Sequence, residues 1–428
     1  MTTAPDGLVQ VTGNRALSGR YPVQGSKNIA LHLYAAALLA DVPLTLEQAP
    51  DIVDTGVCAR ILQHIGTDAT FDGNRFMVGP TDALNPVIPQ ELGRQIRTTA
   101  VLAAAVLARA GKVVFPYPGG DAFCPRLIDR HLAAMQAAGA EVVPTASGLR
   151  ILTGRRGLHA FTVDMNTPYG PSLGATVTAL LLAARTPGTS LITSPSIEPE
   201  VTETCRFLAE RGVAVSWNAE GLHVSGKDWI DGGTFEVAGD RIEAATVAMA
   251  DASTGGCVDL VGIALTHFPD GLIAPFADAG ITLTADGDTI RVRLAGVLSG
   301  VEAATGPHPG LPTDTAPQLA AMLTQAAGPS LIGERVYPRR DTHVAPLRAF
   351  GADITATGSM IRLRGPKRLH AADVQAADIR AVTALLIAAL VADGTSTIRG
   401  LHHLRRGYGH LLANLATLGA EVTVEPEV

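Results

Sequence analysis

Basic and acidic side chains open several of the apolar helical runs in this chain, where stability alone would not place all of them. Lys27 and Asn28, Arg97, and Arg380 (in DIR) stand at three such starts, and Ser172 with Gly174, Glu243 (in DRIE) and Asp314 (in PTD) stand at three more. A helix N-terminus presents unpaired backbone N–H groups and the positive end of the helix dipole, so it attracts anions and disfavours cations. Lysine and arginine there oppose local stability, and such a conflict marks a functional site, here one suited to a substrate anion. Loops add PGGDAFCPRLIDRH (118–131), with Asp121, Arg126 and Asp129, and two adjacent-arginine pairs in VYPRR (336–340) and LRRGY (404–408). His402, His403 and His410 lie near the second pair, but no second cluster supplies further ligands at the usual spacing, so no metal site is expected.

The elements that position these residues repeat. An Ala/Leu-rich helix pattern ending in glycine and a small apolar strand recurs at Gly66, Gly139, Gly212, Gly280, Gly351 and Gly419, as in LQHIGTDAT (62–70) and LATLGAEVT (415–423). The period of about 70 residues exceeds that of solenoid repeats, so each copy is a larger supersecondary unit contributing a layer to a globular domain. Six copies divide into two domains of three. A hairpin follows each glycine, as in GLRILTG (148–154), but the sixth copy ends before its closing strand. GLVQVTG (7–13) supplies the missing strand, which makes one domain discontinuous: 1–25 with 239–428, around an inserted domain, 26–238, that carries the Asp121 loop. About half a unit before each glycine lies a helix apolar on nearly every side, as in AVTALLIAALVADGTSTI (381–398), and such helices belong inside their domain with the sheets around them.

Composition bounds the rest. At 428 residues, with 47% hydrophobic and 17% charged residues, the chain reads as globular, with a core of Ala, Leu and Val. Cys58, Cys124, Cys205 and Cys257 follow no metal or secretory spacing, the N-terminus lacks a signal peptide, and no apolar run crosses a bilayer. A cytoplasmic location without membrane attachment is expected. A net charge of −7 argues against a nucleic-acid partner.

GSKNIAL (25–31), PGGDAFCPRLIDRH (118–131), SLGAT (172–176), DRIE (240–243), PGLPTD (309–314), DIR (378–380) and RGY (406–408) fall in the order and at the separations of one family. Over residues 8–424 the chain resembles UDP-N-acetylglucosamine 1-carboxyvinyltransferases, also called UDP-N-acetylglucosamine enolpyruvyl transferases. The resemblance implies an α/β fold, the two-domain inside-out barrel with three βαβαββ-like units per domain. It also implies transfer of the enolpyruvyl group of phosphoenolpyruvate to the 3-hydroxyl of UDP-N-acetylglucosamine with release of phosphate, the first step of peptidoglycan precursor synthesis for the cell wall. No cofactor or metal is implied. By the same resemblance Lys27, Asn28, Arg126, Arg340, Arg380 and Arg406 hold phosphoenolpyruvate, and Lys27 is catalytic with Asp121 and Asp314. Asp314 lies near the attacking hydroxyl as general base. Asn28, Arg97, Arg126, Leu127, Ile128, Asp129, Arg130, Gly170, Pro171, Ser172, Leu173, Asp314 and the Val336 backbone contact the uridine nucleotide sugar. The Asp121 loop is the expected lid in a closure of the domains over both substrates.

Departures from the family carry their own expectations. Asp121 stands where many members have the cysteine that protonates the methylene carbon. A carboxyl titrating near 3.9, against about 8.5 for a thiol, must be raised by burial or by nearby phosphate to donate that proton. Fosfomycin, an epoxide that alkylates the loop thiol, is expected not to inactivate the protein. Gly170, followed by Pro171, stands where the family often has Lys, which removes a diphosphate contact, and His32 replaces a Pro. These changes keep open, as the alternative acceptor reading, a paralogue acting on another nucleotide or nucleoside, as in nucleoside-antibiotic pathways. A catalytically silent UDP-sugar sensor is a further one. The sister activity, 5-enolpyruvylshikimate-3-phosphate synthase, is disfavoured by Asn28 and by the absence of its N-A-G-T motif. Oligomeric state is not legible.

Overall fold

The computed structural model describes residues 7–81, 83–120, 127–154 and 157–426. The described residues divide into two compact units, one formed by 7–24 with 239–426, the other by 25–120 with 127–238. The first passage between them falls one residue before the position expected from sequence. Gly25 lies with the second unit because its backbone presses on the Gln48 carbonyl, which an added Cβ would meet at 1.7 Å. Only glycine fits that approach.

Each unit is built from β-α-β-α-β-β repeats. The first unit holds three four-stranded sheets. In one of them Gly7–Thr12 lies between Thr395–Arg399 and Glu421–Pro426, antiparallel to both, with Val9 opposite Ile398 and Val424. The chain's first described strand thus closes its last repeat. Among the described residues the second unit holds two four-stranded sheets, the two-stranded pair Asn166–Thr167 and Gly170–Pro171, and a three-stranded sheet, Lys112–Phe115, Gly148–Thr153 and Ala140–Thr145. In this last sheet a parallel bridge of Val87 to Val114 takes the place of a fourth strand. The strands before the two passages pair within their own units: Ser18–Pro22 runs parallel to Cys257–Val261, and Gly233–Glu236 parallel to Leu44–Glu47.

The helices come in two kinds. Lys27–Ala37, Thr99–Ala110 and Leu173–Arg185 in the second unit, and Arg241–Thr254, Ala316–Leu323 and Ile379–Val391 in the first, are buried on nearly every side. Their Ala, Leu and Val content allows this, since small side chains let helices and sheets approach from all directions. The other kind is amphipathic. Pro199–Glu210 buries Val201, Thr204, Cys205 and Leu208, spaced i, i+3, i+4, i+7, and exposes charges on its far side. All six repeat glycines have φ between 83° and 101°, the left-handed conformation that ends a helix and releases the chain into the next strand. No described helix is long and apolar enough to cross a membrane.

Candidate active site

In the first unit three of the expected residues meet. Asp314 sits in the one-turn 3₁₀ segment Thr313–Thr315, directly ahead of the Ala316–Leu323 helix. Its Oδ1 accepts from Arg340 Nη1 at 2.8 Å and its Oδ2 from Arg380 Nη2 at 2.6 Å. The arginine side chains are 2% and 5% exposed, that of Asp314 25%, so the carboxylate is the solvent-facing member of the trio. Burial alone would raise the Asp314 pKa, but Arg380 and Arg340 outweigh it and hold the carboxyl far below the usual range. Burial likewise works against the Arg380 charge, and Asp314 more than restores it.

Each arginine is fixed independently of Asp314. Arg380 is the second residue of the Ile379–Val391 helix, whose N-cap, Asp378, accepts from the Arg380 and Ala381 amides at 2.8 and 3.0 Å and also bonds Thr342. That cap offsets the unfavourable dipole of a helix start bearing a cation. Arg380 Nη1 donates to the Tyr408 hydroxyl at 2.6 Å, and Thr246 and Gln318 approach that hydroxyl from two other buried helices. Arg340 also donates to Thr313 Oγ1 at 3.0 Å, and Thr313 in turn donates to Glu334 at 2.8 Å. Glu334, 2% exposed, further accepts from the Thr305 hydroxyl and from the Val336 and Tyr337 amides at 2.7 to 2.9 Å. The Val336 N–H is therefore engaged by Glu334, so the substrate contact expected of the Val336 backbone falls to its carbonyl. Arg406 caps the Leu401–Arg405 helix two residues before Tyr408, and the Gly407 carbonyl between them accepts from the Gln24 side chain at 2.7 Å.

The second unit carries the other described candidates. Lys27 opens its helix behind the N-cap Ser26, is 9% exposed, and pairs with the buried Asp54 at 3.3 Å. Asn28 follows it in the same turn. Arg97 precedes the Thr99–Ala110 helix and donates to the carbonyl of the exposed Leu127 at 3.0 Å, tying that helix start to the stretch from Leu127 through Ile128 and Asp129 to Arg130. Asp164 is held below its usual pKa, chiefly by a Ser194 hydrogen bond, with Arg130 contributing. Gly170 and Pro171 form one strand of a tight hairpin with Asn166–Thr167 and lead into Ser172, the N-cap of the Leu173–Arg185 helix. Gly170 has φ 101°, a left-handed conformation that strains any side chain. Behind that helix start, His131 packs on Gly174 and bonds Thr178 at 2.7 Å. Asp121 and Arg126 lie outside the described residues.

Tyr408, Glu334, Thr313, Asp378 and Asp54 were not singled out from sequence. Asp378 could have been, because an Asp two residues before a cation at the start of an apolar run is an N-cap signature. The others act across long sequence separations and leave no local pattern.

The comparisons with known proteins bear on this arrangement. The sequence profile of the EPSP synthase (3-phosphoshikimate 1-carboxyvinyltransferase) family matches residues 11–424. UDP-N-acetylglucosamine 1-carboxyvinyltransferase of Sphingopyxis alaskensis is 35% identical over 97% of the chain and 98% of its own length. The chain belongs to the enolpyruvyl (carboxyvinyl) transferase family. A second relative of the same name, from Chlorobium phaeovibrioides, is 34% identical over 96% of the chain and 97% of its own length. Among solved structures, the enolpyruvyl transferase NikO from Streptomyces tendae superposes with TM-score 0.88 at 27% identity, covering 99% of this chain and all of that one. EPSP synthase from Acinetobacter baumannii, with TM-score 0.77 at 18% identity over 98% of this chain and all of its own, shares the fold. The two-domain α/β architecture is that of the enolpyruvyl transferases, and the chain is an enzyme of enolpyruvyl transfer.

Proposed function

We propose that this enzyme moves the enolpyruvyl group of phosphoenolpyruvate to a hydroxyl of a uridine nucleotide that carries less phosphate than a UDP-sugar. The acceptor oxygen bonds to C2 of the donor while a proton goes to C3, giving a tetrahedral ketal. Loss of a C3 proton and cleavage of the C2–O bond to phosphate then restore the double bond and release phosphate. In this reading Lys27, Arg126, Arg340, Arg380 and Arg406 hold the donor's phosphate and carboxylate. Charge-assisted hydrogen bonds to each group contribute about 1.5–3 kcal/mol. Asp121 protonates C3, and Asp314 takes the hydroxyl proton. Asn28, Arg97, the 127–130 stretch, the 170–173 turn and Val336 receive the nucleotide.

The observation that carries the acceptor assignment is the Asn166–Pro171 hairpin. Where the resembled family often places a lysine toward the diphosphate, this chain has Gly170 at φ 101° and then a proline, so the turn is built around a residue that offers no charge. The full-length likeness to an enolpyruvyl transferase of a Streptomyces agrees with a paralogue. The curated relatives' name supports a second reading, UDP-N-acetylglucosamine as acceptor and peptidoglycan precursor synthesis as the pathway. Phosphate release from phosphoenolpyruvate, assayed with uridine monophosphate and separately with UDP-N-acetylglucosamine, decides between them. Faster turnover with the monophosphate is expected, faster turnover with the UDP-sugar supports the second reading, and no release with either supports a silent sensor.

A further inference from the structure

The Arg340–Asp314–Arg380 trio presents a conflict. The proposed reaction, on which this inference rests, needs the two arginines for the donor's anionic groups and Asp314 for the acceptor's proton, yet the three groups satisfy one another. A carboxylate bridging two guanidiniums is a poor proton acceptor, and guanidiniums neutralised by a carboxylate hold a second anion less tightly. We propose that Asp314 is an internal competitor for the donor: it occupies Arg340 and Arg380 until the donor's carboxylate or phosphate displaces it, and that displacement frees it to work on the acceptor hydroxyl.

Three observations favour exchange over a permanent lock. The arginines keep other anchors when Asp314 leaves, Arg340 on Thr313 and Arg380 on Tyr408, so a ligand meets them already in place. Asp314 is the most exposed of the three, so the arriving anion reaches it first, and its carboxylate can turn away while the neighbouring Thr313 keeps its place on Glu334. The chain also contains a contrasting trio. In the second unit Asp41 bridges Arg109 and Arg185, but there the arginines are tied to main-chain carbonyls of Leu39, Ala40, Thr81 and Asp228, and Asp41 also accepts from the Ile230 amide. That trio is knitted into the backbone. The Asp314 trio is held by hydroxyl side chains.

The test measures phosphoenolpyruvate binding to the full-length protein by titration calorimetry, without acceptor. Asp314→Asn and Asp314→Ala are expected to bind phosphoenolpyruvate about tenfold more tightly than wild type while losing acceptor-dependent phosphate release. Asp240→Asn is the control for charge alone: Asp240 acts on Arg380 electrostatically and caps the Arg241–Thr254 helix, a role Asn fills equally. Unchanged affinity in both Asp314 variants, or equal tightening by Asp240→Asn, overturns the competition while leaving the donor assignment intact. A wild-type enzyme that neither binds phosphoenolpyruvate nor releases its phosphate overturns the donor assignment and the competition together. If the Asp314 variants fail to fold, a crystal structure of wild type with phosphoenolpyruvate decides. Asp314 parted from both arginines supports the exchange, and intact ion pairs beside bound donor refute it.

Discussion

Glu334→Gln should loosen the loop that delivers Arg340, because the Glu334 carboxylate accepts four hydrogen bonds: from the hydroxyls of Thr305 and Thr313 and from the amides of Val336 and Tyr337. All four partners are donors facing a side chain 2% exposed, an arrangement that suits an acceptor-only carboxylate. In glutamine, one oxygen keeps three of the bonds in weaker, neutral form, and an NH₂ faces Thr313, whose oxygen already accepts from Arg340. A charged hydrogen bond contributes about 1.5–3 kcal/mol and a neutral one about 1, so weakening three bonds and misdirecting one predicts a loss of at least about 3 kcal/mol. Urea denaturation gives the stability change, and calorimetric titration with phosphoenolpyruvate gives the effect on the site. Affinity should fall in parallel because Arg340 loses the fixed position of Thr313. A variant as stable as wild type within about 0.5 kcal/mol, with unchanged phosphoenolpyruvate affinity, would refute the idea that Glu334 holds this loop.

Asp41→Ala leaves Arg109 and Arg185 without their shared carboxylate and should destabilise the second unit by about 3 kcal/mol, read from urea denaturation; a change under about 1 kcal/mol would show that the knot contributes little. Burial raises the Asp251 carboxyl to about 7, so between about pH 4 and 7 the folded chain holds a proton that the unfolded chain releases. Stability from this group therefore falls as pH rises through that window, and Asp251→Asn should flatten the corresponding part of the stability–pH curve; an unchanged slope counts against it. Fosfomycin should leave turnover intact over prolonged incubation, whereas Asp121→Cys should introduce time-dependent loss with an adduct at position 121 visible by mass spectrometry. Inactivation of wild type with the label on Asp121 would contradict this.

The repeats were legible because each copy marks its own punctuation: helix-ending glycines that need positive φ, and apolar runs of Ala, Leu and Val without a polar face. The truncated sixth copy pointed to the strand at residues 7–13 because an unfinished hairpin exposes an unpaired edge, and Gly7–Thr12 covers it. Lys27, Arg380 and Asp314 stood out because a charge in an apolar setting needs a reason. The partners were hidden. Asp54 reads in sequence as an ordinary acid in the first turn of Val53–Ile65, Glu334 as a loop acid before two arginines, and Tyr408 as the last letter of a motif; each acquires its role only when the sheet repeats bring distant loops together. The passage at Gln24 and Gly25 was missed by one residue because its cause is a backbone contact with Gln48, which leaves no trace in the pattern of types.

Two of the buried helices carry a cation in the last turn and two others in the first, with opposite energetic logic. Arg109 and Arg185 lie in the last turns of Thr99–Ala110 and Leu173–Arg185, where the dipole favours cations and the last carbonyls need donors, so charge and backbone agree. Lys27 and Arg380 lie in first turns, where a cation loses about 0.3–1 kcal/mol to the dipole. Each is retained only with acidic compensation: Asp54 beside Lys27, Asp378 and Asp314 beside Arg380. Folding alone would be served better by apolar residues at those starts, since replacing a buried ion pair with well-packed apolar groups is often neutral or stabilising. Under the proposed reaction these carboxylates keep the cations in place for a donor that brings its own negative charge. Supplying phosphoenolpyruvate should relieve what the fold tolerates at these helix starts, and a donor-induced gain in stability that Arg380→Met abolishes is the corresponding sign.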